Sequence, residues 1–108
     1  MANYLLQVTY NNQGISELVN NPQDRSAAIR SVVEGMGGRM ESFYFAFGEY
    51  DAIAIVELPD HVSAAALAMA VGVGRATRNY KTTVLIPMNE AVEAMRKAST
   101  VGYRPPGG

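Results

Sequence analysis

The order of strand-like and helix-like segments constrains this chain more than any other feature of its sequence. Alternating apolar and polar residues predict strands over residues 3–11, 39–47, 50–58 and 77–88. Apolar residues at helical spacing predict a helix from the Asn21-Pro22 pair to Met36, a second over residues 62–75 and a short third over 90–98. The segment through Ile15 and Leu18 is expected to be helical or irregular.

The resulting order β-α-β-β-α-β is typical of the ferredoxin-like fold. It predicts an α+β protein with a four-stranded antiparallel sheet, two helices on one face and the short C-terminal helix in addition. The Gly48-Glu49 pair fits a two-residue type II′ hairpin turn between the second and third strands. That register pairs Phe43 with Ala54, Phe45 with Ala52 and Phe47 with Tyr50. The three phenylalanine rings are then expected to lie beneath the helix layer.

Residues that favour helix ends stand at each predicted boundary. Asn21, Asp60 and Asn89 are expected to accept hydrogen bonds from the first backbone amides of the three helices. The Gly37-Gly38 pair is expected to end the first helix, because Gly readily adopts the left-handed conformation found there. The second helix is rich in Ala and Gly, which predicts a close approach to a neighbouring surface.

The sheet face that these helices leave bare carries apolar side chains, namely Leu5, Tyr44, Ile53, Ile55 and Leu85. An exposed apolar surface of that extent usually marks an interface. We therefore expect a second copy of the chain to cover this face, sheet against sheet, as a dimer with twofold symmetry. The expected partners are the chain itself and a small-molecule ligand.

Composition excludes several kinds of site. The 108 residues include no Cys and one His, so thiol chemistry, disulfides and an all-protein transition-metal site are not expected, nor is a cofactor. The formal net charge of −1 argues against a nucleic-acid partner, since phosphate binding depends on clustered Lys and Arg. Neither a signal-peptide pattern nor an apolar run of about 20 residues is present, which predicts a cytoplasmic protein without a membrane partner.

The length predicts one domain. We place it over residues 1–98. Residues 99–108 contain two prolines and end in Gly107-Gly108, which predicts a flexible C-terminal tail.

Residues 47–51 read Phe-Gly-Glu-Tyr-Asp and are followed by Ile53, Ile55, Val56, Glu57 and the Pro59-Asp60 pair. This run resembles the signature of the GYD-domain family. The Ala-rich helix and the strand at residues 80–85 are also similar, so the resemblance covers roughly residues 3–98. It implies a ferredoxin-like fold paired into a dimeric α/β barrel, an architecture used by small monooxygenases, isomerases and ligand-sensing domains. It implies no particular activity, because a fold alone does not determine function.

The candidate catalytic residues are Tyr44, Asp51 and His61. A carboxylate in a partly apolar cavity can act as a base, which is one role for Asp51; the other is to pair with Lys81, Arg39 or backbone amides at the end of the sheet. His61 follows Asp60 at a helix N-terminus, where the macrodipole favours the neutral ring. It is either a proton acceptor or ligand, or an exposed polar residue.

Two functions of different classes remain open from the sequence. The first is a non-enzymatic small-molecule-binding or assembly module, favoured by the small-residue helix, the apolar sheet face and an incomplete catalytic constellation. The second is a cofactor-independent monooxygenase or isomerase acting on an activated small aromatic or lactone, with the three candidate residues as participants. Tyr44, Tyr80 and Tyr103 either place a hydroxyl at a cavity mouth or pack with the polar tip in water.

Overall fold

The computed structural model describes residues 1–107, which form one four-stranded sheet and four helices. In chain order the elements are β1 (Ala2–Tyr10), α1 (Asn12–Asn20), α2 (Ser26–Gly35), β2 (Arg39–Phe45), β3 (Ala52–Leu58), α3 (His61–Val73), β4 (Thr77–Leu85) and α4 (Met88–Ala98). No helix within these residues has the length and apolar character needed to cross a membrane.

The sheet has four antiparallel strands in the order β2-β3-β1-β4. This order is the one that a ferredoxin-like βαββαβ chain produces, so the predicted fold class is confirmed. The predicted pairing of β2 with β3 is also found, with Phe43 opposite Ala54 and Phe45 opposite Ala52. The register shifts between Met40 and Ser42, where the strand contains a β-bulge.

The connection between β2 and β3 is longer than the predicted two-residue turn. Pairing ends at Phe45 and Ala52, so the pairing of Phe47 with Tyr50 was wrong. Asp51 is held on both sides here, because its backbone N–H donates to the Val8 carbonyl at 2.8 Å and its carbonyl accepts from the Ala46 amide at 2.6 Å. Phe47 is 98% exposed, instead of lying beneath a helix.

The core lies between the sheet and helices α2 and α3. β3 shows the clearest pattern, since Ala52, Ala54, Val56 and Leu58 are buried while the residues between them are half-buried. Tyr4 and Leu6 of β1, Val33 of α2, and Ala64 and Leu67 of α3 complete this cluster together with Met40. Burial of alternate residues is what a strand covered by helices on one face requires.

The first helical region differs most from prediction. Asn11 caps α1 by accepting a hydrogen bond from the Gly14 amide at 2.8 Å, and α2 begins only at Ser26. The Asn21-Pro22 pair lies between these helices, so its assignment as a helix start was wrong. A Cβ at Gly14 would lie 2.3 Å from the Ala76 carbonyl oxygen. The glycine therefore serves a close packing contact inside a helix.

Of the remaining predicted helix ends, two are found in the structure and one is not. Asp60 caps α3 as predicted, accepting from the Ser63 amide at 2.8 Å. Gly37 follows α2 with φ of 84°, the left-handed conformation expected at a helix stop. Asn89 is not a cap, because α4 begins at Met88 after Pro87 and has no side-chain cap. Pro87 has φ of −58° and leads directly into the helix.

The C-terminal part of the chain lies mostly exposed. In α4 only Ala91 is half-buried, and every other residue of that helix is exposed. Residues 99–107 are exposed as well, and Gly108, the last residue of the predicted tail, lies outside the described residues. The division into a domain over residues 1–98 and a flexible tail over 99–108 stays a prediction.

Candidate functional site

A cavity of about 320 Å³ opens between the helix-covered face of the sheet and helices α2 and α3. Its walls are mainly apolar and include Leu6 and Val8 of β1, Ile29 of α2, and Leu67 and Val71 of α3. It occupies one end of the molecule, where β1 ends and β4 begins. Cavities of this size that are largely apolar and carry few polar groups are typical of small-molecule sites.

Small side chains on facing walls explain why this space is not filled. β3 contributes Ala52 and Ala54, and the opposite wall contains Ala70 and Gly74 at the end of α3. Larger core side chains would fill this space, and small residues at these positions leave it open. The Ala-rich helix was expected to approach a neighbouring surface closely. Within the chain its C-terminal half instead forms one wall of the cavity.

Tyr80 of β4 adds a polar group to these walls. Its hydroxyl oxygen is buried, and it has no hydrogen-bond partner among residues 1–107. Burial raises the pKa of this phenol, and the nearby Thr82 hydroxyl lowers the pKa in part. The geometry between the Thr82 and Tyr80 hydroxyls does not form a hydrogen bond. An unpaired buried hydroxyl costs about 1–3 kcal/mol, which makes Tyr80 an energetically unfavourable position in this wall.

Tyr10, Arg25 and Thr77 are the other polar residues in the lining of the cavity. The Tyr10 ring stacks on Phe45, with centroids 6.5 Å apart. Burial raises the pKa of the Tyr10 phenol; the nearby Arg25 charge lowers it in part, and Asp51 raises it further. Arg25 is exposed, and no carboxylate lies within ion-pair distance of it in the described part of the chain.

Asp51, a predicted catalytic candidate, lies at the end of the sheet. Its Oδ2 accepts a hydrogen bond from the Tyr10 backbone N–H at 2.9 Å, as in the alternative in which this carboxylate binds backbone amides. Asp51 also lines a separate polar hollow that includes Asn11 and Arg78. It does not line the apolar cavity. A structural role thus accounts for its position.

His61 lies at the first residue of α3, next to the capping Asp60. Its Nδ1 is 2.7 Å from the hydroxyl of Tyr4, a side chain that is itself 1% exposed. Tyr4 and Tyr10 lie six residues apart on β1, which is about 20 Å along a strand. His61 and Asp51 are therefore at opposite ends of β1, too far apart to act on one substrate within one chain.

Tyr44, the third candidate, lies on the open face of the sheet, opposite Ile53, and is 69% exposed. The structure thus brings none of the three candidates together, and none lines the cavity. Their catalytic role stays a prediction. No group of three or more His, Asp or Glu side chains within residues 1–107 forms a metal-binding cluster.

Arg25 and Tyr10 were missed by the sequence reasoning, and Tyr80 was noted only as one of several tyrosines. Tyr80 did carry a signal, since it alternates with Thr82 and Val84 on the strand face that meets the helices. Arg25 carried none, because it immediately precedes α2 and belongs to no motif in the sequence.

Comparison with known proteins identifies the family. The family model described as GYD domain matches residues 4–95. None of the curated proteins matches the sequence significantly. A solved structure titled "crystal structure of FFRP-DM1" is similar, with a TM-score of 0.49, 14% identity, and coverage of 80% of this chain and 100% of that chain. Because the family model spans most of the sequence, this chain belongs to the GYD-domain family.

Proposed function

We propose that this protein binds a small, mostly apolar molecule in the cavity between the sheet and helices α2 and α3. The observation that carries the proposal is the cavity itself, whose mainly apolar walls are left unfilled by small side chains on β3 and α3. Tyr80 lies in the wall, and its buried hydroxyl lacks a partner within residues 1–107. A ligand with an apolar body would fill the unfilled volume, and that burial favours binding.

The lining chemistry favours binding over catalysis. The residues that line the cavity are apolar or have Tyr, Thr or Arg side chains. Among residues 1–107, no Asp, Glu or His belongs to this lining. Most proton-transfer enzymes require a general base whose pKa lies near the pH at which the enzyme works. The alternative of a cofactor-independent monooxygenase or isomerase therefore receives no support from this cavity.

The test uses 3-phenylpropanol, an uncharged molecule with an aromatic body and one hydroxyl. Ala70→Leu adds volume to the α3 wall at an exposed helical position, so the variant is expected to fold. Ala66→Leu is the matched control, since Ala66 is on the same helix but does not line the cavity. Ligand-observed NMR is expected to show binding to the parent protein and to Ala66→Leu, and binding at least about tenfold weaker to Ala70→Leu. Equal binding to both variants, or no binding to the parent protein, would overturn the proposal.

We further propose that the chain works as a homodimer joined through the open face of its sheet. The observation in favour is the row of neighbouring side chains across the middle of that face, where Leu5 of β1 lies between Ile55 of β3 and Thr83 of β4. An ion pair between Arg39 and Glu57, 2.6 Å apart, lies at one end of this surface. An apolar centre with charged groups at its margin is typical of a protein–protein interface.

Sedimentation analysis tests the dimer. The molecular mass of the parent protein from sedimentation is expected to be twice the 11.6 kDa mass of the chain. The Ile55→Arg variant is expected to have the mass of the monomer. Val62→Arg is the matched control, because Val62 is 77% exposed on α3, away from the open face. A monomeric parent protein, or a dimer that Ile55→Arg leaves intact, would contradict the proposed interface.

A further inference from the structure

The mouth of the cavity carries a positive charge. Arg25 lies among the lining residues together with Tyr10, and its charge partly lowers the pKa of the Tyr10 phenol. Arg25 is exposed, and its one side-chain hydrogen bond within residues 1–107 is a 3.4 Å contact to the Gln23 amide oxygen. Such a weak contact leaves most of its five N–H donors available to a ligand.

The two carboxylates near this end of the molecule accept hydrogen bonds from groups other than Arg25. Asp24 lines an adjoining hollow together with Arg25 and Tyr10, and it accepts a hydrogen bond from the Ser26 amide at 2.8 Å. Asp51 accepts from the Tyr10 amide at 2.9 Å on the side of the polar hollow. Neither lines the cavity, and neither lies within 4.0 Å of the Arg25 guanidinium. The positive charge of Arg25 is therefore not neutralised by a direct ion pair.

We infer that the ligand of this cavity is a small organic acid, whose carboxylate binds Arg25 at the mouth while its apolar body lies against the sheet. This inference rests on the proposed function and specifies the chemical class of the ligand. A planar guanidinium matches a carboxylate with two parallel hydrogen bonds, which a neutral hydroxyl or an ammonium group cannot form. The apolar walls supply affinity, and Arg25 supplies the preference for an anion.

The experiment compares three molecules that share one apolar body: 3-phenylpropanoate, 3-phenylpropanol and 3-phenylpropylamine. For the parent protein in low salt, we expect the acid to bind about tenfold more tightly than the alcohol, and the amine to bind most weakly. Raising the salt concentration to about 0.5 M is expected to reduce the advantage of the acid and to leave the alcohol unchanged.

Arg25→Gln removes the charge at a position that makes no side-chain cap to α2, so the helix is expected to form normally. The acid and the alcohol should then bind equally well. Arg30→Gln is the matched control, since Arg30 lies exposed on α2 outside the cavity lining, and it should keep the preference for the acid.

The outcomes separate this inference from the proposed function. If the alcohol binds and Ala70→Leu prevents it, but the acid binds no better than the alcohol, the small-molecule site stands and the organic-acid inference is wrong. A preference for the acid that survives in Arg25→Gln would also overturn it. If none of the three molecules binds, the proposed function itself is wrong.

Discussion

The hydroxyl of Tyr4 and Nδ1 of His61 are joined by a hydrogen bond of 2.7 Å, which links β1 to the first turn of α3. The two rings also meet edge to face, with centroids 5.9 Å apart. Tyr4 is one of the largest fully buried side chains, so this bond satisfies a hydroxyl at the boundary of the core. The histidine therefore has a structural role that its position in the sequence did not reveal.

Removing the Tyr4 hydroxyl tests that role. Tyr4→Phe keeps the ring and is expected to lower the free energy of unfolding by about 1 kcal/mol, the usual net value of one hydrogen bond. His61→Ala should cost a similar amount, and the double variant should cost less than the sum, because both changes remove the same bond. Urea unfolding measures all three, and strictly additive losses would show that the bond contributes nothing.

Two glycines are expected to be irreplaceable for steric reasons. A Cβ at Gly14 would lie 2.3 Å from the carbonyl oxygen of Ala76, and one at Gly38 would lie 2.2 Å from that of Glu57. Both contacts are to backbone, which cannot move aside as a flexible side chain can. Gly14→Ala and Gly38→Ala should each lower the free energy of unfolding by at least about 2 kcal/mol.

Gly35→Ala is the control for that pair, because a Cβ there would meet nothing within 4 Å and the residue lies in α2. It should raise the free energy of unfolding by up to about 1 kcal/mol, since Ala loses less backbone entropy in a helix than Gly. Thermal unfolding of the three variants provides the comparison. If the Gly14→Ala variant were as stable as the Gly35→Ala variant, the contact between Gly14 and the Ala76 carbonyl would not be close enough to exclude a methyl group.

Arg75 holds a left-handed backbone conformation with φ of 60° just after α3. Asn and Gly adopt this conformation at lower cost than Arg. Arg75→Gly is therefore expected to raise the free energy of unfolding by about 0.5–1 kcal/mol. A measurable loss of stability would mean instead that the Arg75 side chain makes a contribution larger than the backbone strain.

Asp60 should make stability depend on pH in the acid range. The Ser63 backbone N–H, and then its side chain, hold the pKa of the Asp60 carboxyl below its usual value, with the His61 charge lowering it further. A carboxyl whose pKa is lowered by folding stabilises the protein above its unfolded pKa of about 4, and that contribution is lost as pH falls through the folded value.

Asp60→Asn removes this titration while retaining a side chain that caps helices well. Urea midpoints measured from pH 7 to pH 2 should therefore fall less steeply for the variant than for the parent protein. The two curves should converge at the acid end, where the parent carboxyl is protonated. Parallel curves would contradict the assigned cause of the pKa shift.

The alternation of apolar and polar residues predicted the fold, and it is clearest in β3, where buried and half-buried residues alternate along the whole strand. Val56 and Leu58 are fully buried, and Glu57 between them is not, which is the signal that sets the strand faces. The β2–β3 loop could not be predicted in the same way. This loop contains a hydrogen bond from the Asp51 amide to the Val8 carbonyl, a contact between residues 43 positions apart that no local pattern indicates.

The cavity could not be predicted from local pattern either. Ala54 and Ala70 are ordinary choices in a strand and a helix, and they create an unfilled volume only because the fold sets them across from each other. Tyr80 likewise matters because its hydroxyl is buried without a partner, a property of the packed structure. The sequence therefore led to candidates such as His61 that carry chemical groups but lie outside the cavity.

Methyl NMR of the intact protein with 3-phenylpropanol tests the central claim most directly, because it locates the bound molecule. We expect the largest shift changes at Ile29, Leu67 and Val71, whose methyl groups line the cavity. Methyl groups on the open sheet face, those of Leu5 and Ile55, should not change. Changes confined to the open face, or no changes at the cavity at a saturating probe concentration, would contradict the account.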